Sequence, residues 1–429
     1  MKAKEKIKPN KISLPSGLEV LLIPLKETET VTFLILVRAG SEYEKKEESG
    51  LSHFLEHMCF KGTKKRPSAK IISTEMDSLG AEFNAFTSQE YTGYFAKSAA
   101  EHFDKISDVI TDIYLNSIFN KEEIAREKGV IIEEMHLQED TPHTKIYDVM
   151  DELLYGNQPA GRPILGDKKV IQKIRRDNFL NYLKKHYTSH KTLVVIAGNF
   201  EEKKATETVK NFFSVINRNR GLEKPRVWEK QKSPQVLIHH KKTDQAHLIL
   251  GARAFSQFDE RRYTLAVLAT ILGEGMSSRL FQKIREEMGL AYYIHSITGL
   301  GSDHGFFGVA SGLALDKIEE AIKVMYQEFI QISNQPVNQK ELQKAKDYIK
   351  GKMTLGLEGS DEYAFFYGLQ QLFYRRTFSL AEIFKKIDAV NSRMVQNLSR
   401  DVFRPKNINL AVLGPFQKKD EFHFKKLLK

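Results

Sequence analysis

The chain has 429 residues, of which 41% are hydrophobic and 10% aromatic, so it is long enough to form two or more packed domains. Its formal net charge of +11 comes from Lys and Arg residues that are spread along the chain, and no nucleic-acid-binding motif accompanies them. We therefore interpret the charge as a solvated, lysine-rich surface and expect no nucleic-acid partner. The single cysteine, Cys59, excludes a disulfide framework within the chain.

The lysine-rich first residues are not followed by the apolar stretch that a signal peptide has. The sequence also lacks a run of about 18 apolar residues, the length that a membrane-spanning helix needs. We therefore expect no membrane partner and a cytoplasmic location.

The first half of the chain alternates strand and helix patterns. Residues 11–25 predict a β-hairpin, because Pro15, Ser16 and Gly17 form a turn signal between two apolar runs. The further predictions are a strand at 30–39, helices from about 50 and at 68–79, two strands within 81–97, helices at about 100–116 and 120–140, the second continuing in helix-like sequence to about 155, and a strand at 193–198.

Residues 217–233 are rich in Arg, Lys and Asn and have no apolar periodicity, which predicts a linker between domains. After this linker the order of elements repeats. The predictions for the second half are strands at 235–239 and 246–254, a helix at 263–272, strands near 292–298 and 305–312, and helices at about 315–333 and 338–356.

The two halves of the chain resemble each other weakly. Residues 33–41 parallel residues 248–256, and residues 193–200 parallel residues 410–416. A repeat near 200 residues indicates a duplicated domain, since solenoid repeats have periods of about 20–50 residues. We therefore predict an N-terminal domain at 1–216, the linker at 217–233 and a homologous C-terminal domain at 234–429.

The most informative motif is the sequence His-Phe-Leu-Glu-His at residues 53–57. On a helix, His53 and His57 lie one turn apart and can bind the same metal ion, and Glu56 reaches the same place. This is the inverted zinc-peptidase pattern H-x-x-E-H, in which the glutamate is a general base. Catalytic zinc usually has three protein ligands, so a further ligand must come from elsewhere in the chain.

The predicted helix at 120–140 offers carboxylates for that third position. Glu127 and Glu134 are seven residues apart and share a face, which also includes Glu123. A charged group that faces a core needs a partner, and a metal or a metal-bound histidine would be one. Spacing alone leaves Glu133 open as the ligand.

These motifs, taken in order, resemble the half-length branch of the M16 metallopeptidases, the family of pitrilysin, insulin-degrading enzyme and mitochondrial processing peptidase. Residues 84–95, 161–166 and 277–292 match further segments of that branch. The resemblance implies an α+β fold of the LuxS/MPP-like type, with two homologous domains, each an antiparallel-rich mixed sheet packed against helices. Only the first domain carries the metal motif.

The resemblance also assigns roles to residues. It implies that one Zn2+ per chain is bound by His53, His57 and Glu134, with Glu56 as the general base. The family's additional acidic residue, seven positions before the glutamate ligand, corresponds to Glu127, which would orient the ligands.

The resemblance indicates two further groups of residues. Arg285 and Tyr292 match an R-x6-Y motif of the second domain and would help to stabilise the oxyanion. Residues Asn84, Ala85 and Phe86 form the expected substrate-binding strand, to which a peptide would add as a further strand. For Phe86 alone, ordinary packing in an amphipathic strand is our preferred interpretation.

The resulting functional prediction is a zinc endopeptidase that hydrolyses peptides or short unfolded polypeptide segments, held as an added β-strand in an enclosed chamber. We expect a homodimer, because the full chamber of the family appears to need four domains. Two alternatives stay open at this stage: a peptide-binding or supporting non-catalytic subunit of a heteromeric processing peptidase, and a nucleic-acid-binding protein suggested by the +11 charge.

Overall fold

The computed structural model describes residues 7–428, which form two compact units. Unit 1 consists of residues up to Met135 together with Pro163–Pro225 and Leu355–Ser379. Unit 2 consists of His136–Arg162, Arg226–Thr354 and the residues from Leu380 onwards. Each unit is therefore built from both halves of the sequence.

Unit 1 contains a six-stranded sheet, sheet 1, with the order β1-β2-β6-β3-β5-β4. Its strands are β1 (Asn10–Ser13), β2 (Glu19–Pro24), β3 (Thr30–Val37), β4 (Glu82–Thr87), β5 (Thr92–Ala99) and β6 (Thr192–Gly198). The pair β2 and β6 is parallel, and the other neighbouring pairs are antiparallel. The predicted hairpin at 11–25 is confirmed by the antiparallel pairing of β1 with β2.

Unit 2 contains a five-stranded sheet, sheet 2, with the order β7-β11-β8-β10-β9. Its strands are β7 (Gln235–His240), β8 (Gln245–Arg253), β9 (Ala291–Leu300), β10 (Gly305–Ala314) and β11 (Ile408–Gly414). The pair β7 and β11 is parallel, and the others are antiparallel.

The two sheets have the same topology once β1 is set aside. Strand β3 is equivalent to β8 and β6 to β11, so the repeat that the sequence predicts is confirmed by matching positions in the two sheets. The predicted fold class, two related α+β domains with antiparallel-rich mixed sheets, is likewise confirmed.

Fifteen α-helices are found within residues 7–428. In chain order they are α1 (Leu51–Cys59), α2 (Ala69–Asp77), α3 (Phe103–Asn116), α4 (Lys121–Glu139), α5 (Pro142–Tyr155), α6 (Lys168–Lys173), α7 (Arg176–His186), α8 (Glu202–Phe212), α9 (Arg262–Gly273), α10 (Ile318–Asn334), α11 (Gln339–Leu355), α12 (Ser360–Tyr374), α13 (Leu380–Asp388), α14 (Ser392–Val402) and α15 (Glu421–Lys426). None of these described helices combines the length and apolar composition that crossing a bilayer requires.

Strand β3 shows how sheet 1 is buried on both faces. Its alternate residues point to opposite sides, so Phe33 and Ile35 enter the core on one face while Leu34 and Leu36 enter a second core on the other. Residues of α1, α3 and α7 complete the first core, and residues of α12 complete the second. A central strand covered on both faces explains the nearly continuous apolar run at 30–39.

The helix that covers the second face of each sheet comes from the other half of the sequence. In unit 1 this helix is α12, and in unit 2 it is α5, whose Ile146 and Met150 pack with Ile249 of sheet 2. The compact units therefore depart from a simple division at 217–233, because two helices are exchanged between the halves.

The helix-like sequence at 120–155 is two helices, so the prediction that one helix continues to about 155 is wrong. Helix α4 ends at Glu139 and α5 begins at Pro142. Proline disfavours helical backbone in the residue before it and lacks the N–H of an interior helical residue, so it stands at the first position of a new helix.

The first part of the predicted linker at 217–233 forms hydrogen bonds with unit 1, and the second part forms them with unit 2. The Leu222 N–H donates to the Lys185 carbonyl of unit 1 over 3.0 Å. The Val227 N–H donates to the Asp303 carboxylate of unit 2 over 2.9 Å. The segment thus has no regular structure of its own but fixed backbone contacts on either side of the unit boundary.

Candidate active site

Helix α1 begins at a buried carboxylate. Gly50 precedes the helix with φ of 91°, a left-handed conformation that glycine adopts without strain. Glu44 accepts hydrogen bonds from the backbone N–H groups of Gly50 and Ser52, both over 2.7 Å. These N–H groups have no partner within the helix, and a negative charge is favourable at this end of the helix dipole, so Glu44 anchors the start of α1.

The apolar residues of α1 determine where its polar residues point. The fully or almost fully buried side chains are Leu51, Phe54, Leu55, Met58 and Cys59. Phe54 packs edge-on against Phe179 of α7, with ring centroids 5.0 Å apart. The remaining face carries His53, Glu56 and His57, which are only partly buried.

Helix α4 brings a carboxylate to these histidines. The Oε2 atom of Glu134 lies 3.7 Å from Nε2 of His53 and 3.6 Å from Nε2 of His57. Ile124 and Ile131 are buried at the positions that set this face of α4 against the core. Glu133, which spacing alone left open, is exposed to solvent instead.

The three ligand atoms suit a zinc ion. Bonds of about 2.1 Å at tetrahedral angles separate two ligand atoms by about 3.4 Å, close to both distances from Glu134. Oε2 of Glu134 is buried without a hydrogen-bond partner in the described part of the chain, which is costly unless a cation binds there. Two imidazoles and one carboxylate are a common ligand set for catalytic zinc.

Glu127 lies behind the histidines and contacts two cationic or potentially cationic groups. Its Oε1 atom is 2.8 Å from Nδ1 of His57, and its Oε2 atom is 2.7 Å from Nζ of Lys61. The Glu127 side chain is only 3% exposed. Burial opposes its ionisation, but the hydrogen bonds from His57 and Lys61 outweigh burial and hold the pKa of Glu127 below its usual range.

The two histidines differ in their electrostatic surroundings. Burial, with a further contribution from the neighbouring His57, lowers the pKa of His53 to about 4, so its imidazole is neutral at neutral pH. Burial also acts against protonation of His57, but its hydrogen bond to Glu127 and the nearby carboxylates raise its pKa. Because Nδ1 of His57 is directed at Glu127, its Nε2 atom is left for a metal.

Glu56 is held by a residue that the sequence analysis did not identify. The hydroxyl of Thr87, the last residue of β4, donates to Oε2 of Glu56 over 2.6 Å. Burial raises the pKa of Glu56, and the Thr87 hydrogen bond only partly counters this. A carboxylate with a raised pKa, held in place but not used as a ligand, is suited to accept and return a proton.

The predicted substrate strand lies at the edge of sheet 1. Strand β4 pairs only with β5 among the described strands, so its other edge is available for an added strand. Asn84 is exposed, and its Oδ1 atom accepts from the Ala85 N–H over 2.8 Å. Phe86 points to the face of sheet 1 that α12 covers, where its ring lies 5.5 Å from that of Phe365.

Arg285 and Tyr292 belong to unit 2. Arg285 lies in the π-helical turn Phe281–Glu287 with its guanidinium carbon 4.8 Å from the centre of the Phe281 ring. Tyr292 is 59% exposed on β9, which is an edge strand of sheet 2. Arg285 is exposed as well, so both side chains present hydrogen-bond donors at the surface of unit 2.

Three residues around the site escaped the sequence analysis: Glu44, Lys61 and Thr87. Thr87 had a usable signal, because strand alternation places it on the same face as Ala85, towards α1. Lys61 contacts a residue of a distant helix, and Glu44 lies in an irregular loop before α1, so neither follows from helical or strand periodicity.

Comparison with known proteins places the chain in a family. Residues 19–168 match the family described as insulinase (peptidase family M16), and residues 173–349 match the peptidase M16 inactive domain. The uncharacterized zinc protease YmxG of Bacillus subtilis is 33% identical over 402 residues, which cover 93% of this chain and 97% of YmxG. An uncharacterized zinc protease of Rickettsia felis is 34% identical over 403 residues, covering 94% of this chain and 96% of the relative.

Solved structures agree with the fold. A protease from Helicobacter pylori superposes with a TM-score of 0.88 at 21% identity and covers 96% of this chain and 100% of its own. A structure from Pseudomonas fluorescens, described as a peptidase M16 inactive domain, also has a TM-score of 0.88, at 18% identity, with 96% and 99% covered. The two family matches and the relatives more than 30% identical show that the chain is a member of the M16 peptidase family.

Proposed function

We propose that the protein is a zinc-dependent endopeptidase that hydrolyses peptides or short unfolded polypeptide segments. The observation that carries this proposal is the close approach of His53, His57 and Glu134 beside a carboxylate, Glu56, that is held by Thr87. A structural zinc site would not need the additional carboxylate, whereas hydrolysis needs a base.

In this proposal His53, His57 and Glu134 hold one Zn2+, and Glu127 orients His57 through its Nδ1 atom. Zinc, when bound, would supply a Lewis acid that makes a water molecule more acidic and polarises the scissile carbonyl group. The low pKa of His53 favours the neutral imidazole that a metal requires.

In this proposal Glu56 acts first as the general base and then as the general acid. It takes one proton from the attacking water as the water oxygen forms a bond to the carbonyl carbon of the peptide. The carbon–nitrogen bond then breaks, and Glu56 returns the proton to the amine that leaves. The Thr87 hydroxyl keeps the carboxylate of Glu56 in one orientation through both steps.

The edge of β4 supports binding of an extended substrate. A peptide that adds as a strand satisfies its backbone groups on the edge and presents its side chains alternately to either side. The Ala85 N–H is bonded to the side chain of Asn84, so we propose that substrate binding exchanges this bond for one to the peptide. We further propose that Arg285 and Tyr292 donate hydrogen bonds to the substrate carbonyl.

The test begins with zinc quantification and a library of unstructured peptides. We expect one zinc per chain, cleavage that a chelator abolishes, and recovery of cleavage when zinc is restored. A peptide that is N-methylated near its cleavage site should compete poorly, because it cannot bond fully to a strand edge. Zinc binding without cleavage of any library member would favour the alternative of a supporting subunit.

We also propose that the substrate is held in an enclosed chamber that needs four domains, and therefore that the active protein is a homodimer. Light scattering on the active protein should therefore give twice the mass of one chain, 49.3 kDa. A monomer that retains full activity would contradict the dimeric chamber while leaving the zinc chemistry intact.

A further inference from the structure

Lys61 lies in the first turn after helix α1 and contacts Glu127 of the candidate site. Its Nζ atom is 2.7 Å from Oε2 of Glu127, and the side chain is 25% exposed. The two oxygens of the Glu127 carboxylate therefore face two different groups, Lys61 on one side and His57 on the other.

The single negative charge of the Glu127 carboxylate therefore interacts with both Lys61 and His57, the second of which is a proposed metal ligand. A carboxylate that accepts from the Nδ1 atom of a ligand histidine makes its Nε2 atom a stronger donor to the metal. A lysine on the other oxygen of the same carboxylate draws charge away from that hydrogen bond and also adds a repulsive positive charge near the metal position.

Resting on the proposed function, we propose that Lys61 is a positioning residue that acts through Glu127 to limit how tightly the site binds zinc. Lys61 pairs with Glu127 and orients it when zinc is absent, and offsets part of its charge when zinc is present. The site is thereby stable without metal, and bound zinc retains more of its positive charge for the substrate.

The proposal makes two predictions of opposite sign for Lys61→Met. Without zinc, the 3%-exposed Glu127 carboxylate loses one of the two side chains that it pairs with, so the melting temperature should fall. With zinc, the full charge of Glu127 acts through His57, so the dissociation constant for zinc should fall by about threefold to tenfold. A lysine that only maintains the local structure would weaken zinc binding and stability together.

The experiment measures zinc affinity by competition with a chromogenic chelator at pH 8, and melting of the zinc-free protein, on the full-length chain. The variants are Lys61→Met, Lys61→Gln and the charge-preserving Lys61→Arg. The matched control is Lys64→Met, which removes the same charge from an exposed lysine of the same loop that has no ion pair within the described residues.

We expect tighter zinc binding and lower metal-free stability for Lys61→Met and Lys61→Gln, with Lys61→Arg and Lys64→Met close to the parent. Unchanged or weaker zinc binding in Lys61→Met and Lys61→Gln overturns the proposal, and so does an equal effect of Lys64→Met. If Lys61→Met does not fold, the zinc affinities of Lys61→Gln and Lys61→Arg test the proposal instead. Tighter zinc binding by Lys61→Gln than by Lys61→Arg would support it, and equal affinities would overturn it.

The proposed function can fail separately. If the parent binds one zinc ion per chain but cleaves no peptide, the peptidase proposal fails, while the affinities of the variants still decide the role of Lys61. If the parent binds zinc and cleaves peptides, but the Lys61 variants bind zinc no more tightly, only the Lys61 proposal fails. A parent that takes up no zinc overturns both.

Discussion

Helices α1 and α9 follow equivalent strands of the two sheets, β3 and β8, but are used differently. In α1 the buried residues occupy one face, and the other face presents His53, Glu56 and His57. In α9 every residue from Val267 to Gly273 is buried, and neither histidine nor carboxylate is present in Arg262–Gly273. One copy of the duplicated helix therefore lines the candidate metal site, and the other packs into the core of its unit.

The comparison of α1 with α9 shows that a helix can cover its sheet without carrying metal-binding or acidic side chains. Both sheets need an apolar helix face to cover them, and α1 meets this need with one face, which leaves the other face for polar residues. Polar residues on the remaining face of α1 form a site because α4 supplies Glu127 and Glu134 to meet them. Substitutions in α1, in α4 and in α9 should therefore have different effects.

The largest expected effect is loss of zinc from unit 1. Glu134→Gln replaces the charged oxygen ligand with a neutral amide, so zinc affinity should fall by at least about a hundredfold and peptide cleavage should fall with it. Metal analysis after dialysis and a cleavage assay measure both. The matched control, Glu133→Gln on the exposed side of the same helix, should keep its zinc. Equal zinc content in the two variants would show that Glu134 is not a ligand.

In unit 2 the corresponding effect should fall on stability alone. Leu268→Ala in α9 removes a fully buried side chain and leaves a cavity in the core of unit 2. The free energy of unfolding of that unit should fall by about 2–5 kcal/mol. The zinc content measured at a temperature where the variant is folded should equal that of the parent. Zinc loss in this variant would contradict the separation of chemistry from core.

Acid should destabilise unit 1 through His186, which is buried against Tyr182 and Tyr43. Burial lowers the pKa of His186 to about 4 in the folded protein, whereas an unfolded histidine has a pKa of about 6.5. The unfolded state binds more protons between these values, so stability falls as the pH drops from 6.5 towards 4.

At pH 5 this histidine alone should cost about 2 kcal/mol relative to pH 7.5. His186→Phe keeps an aromatic ring and removes the titration, so denaturant unfolding should show a smaller loss between these two pH values than in the parent. Equal pH dependence in the parent and the variant would mean that other groups cause it.

The smallest expected effect comes from removing the hydrogen bond between Thr87 and Glu56. Thr87→Val keeps the shape of the side chain and removes its donor, so kcat should fall by about tenfold while zinc content stays constant, since a hydrogen bond to a charged group contributes about 1.5–3 kcal/mol. Thr87→Ser keeps the donor and should recover most of the loss. A Thr87→Ser variant as impaired as Thr87→Val would indicate a packing role.

Much of the site could be predicted from the sequence, because its parts are local. His53, Glu56 and His57 lie on one helical turn, and the seven-residue spacing of Glu127 and Glu134 puts both on one face of α4. Spacing could not choose between Glu133 and Glu134, because adjacent residues differ only in how the helix is rotated against its neighbour.

The repeat and most strands were predictable, but helices α6 to α8 and α12 to α15 were not predicted, and neither were the partners of the helices. Apolar periodicity shows that a helix has a face to bury without showing which sheet it covers, so the positions of α5 and α12 were missed. The break before Pro142 carried its own signal, because proline restricts the residue before it. The duplication predicts that the two sheets share a strand order, without showing which order it is.

We propose that Glu56 of helix α1 transfers a proton beside a bound metal. The Glu56→Gln variant tests this proposal most directly. The measurement is zinc content and peptide cleavage on the same samples of the parent, Glu56→Gln and the control Glu122→Gln, whose glutamate is exposed on α4. We predict one zinc per chain in all three proteins and a loss of cleavage of about a hundredfold or more in Glu56→Gln only. Parental cleavage by a zinc-loaded Glu56→Gln variant would contradict the account.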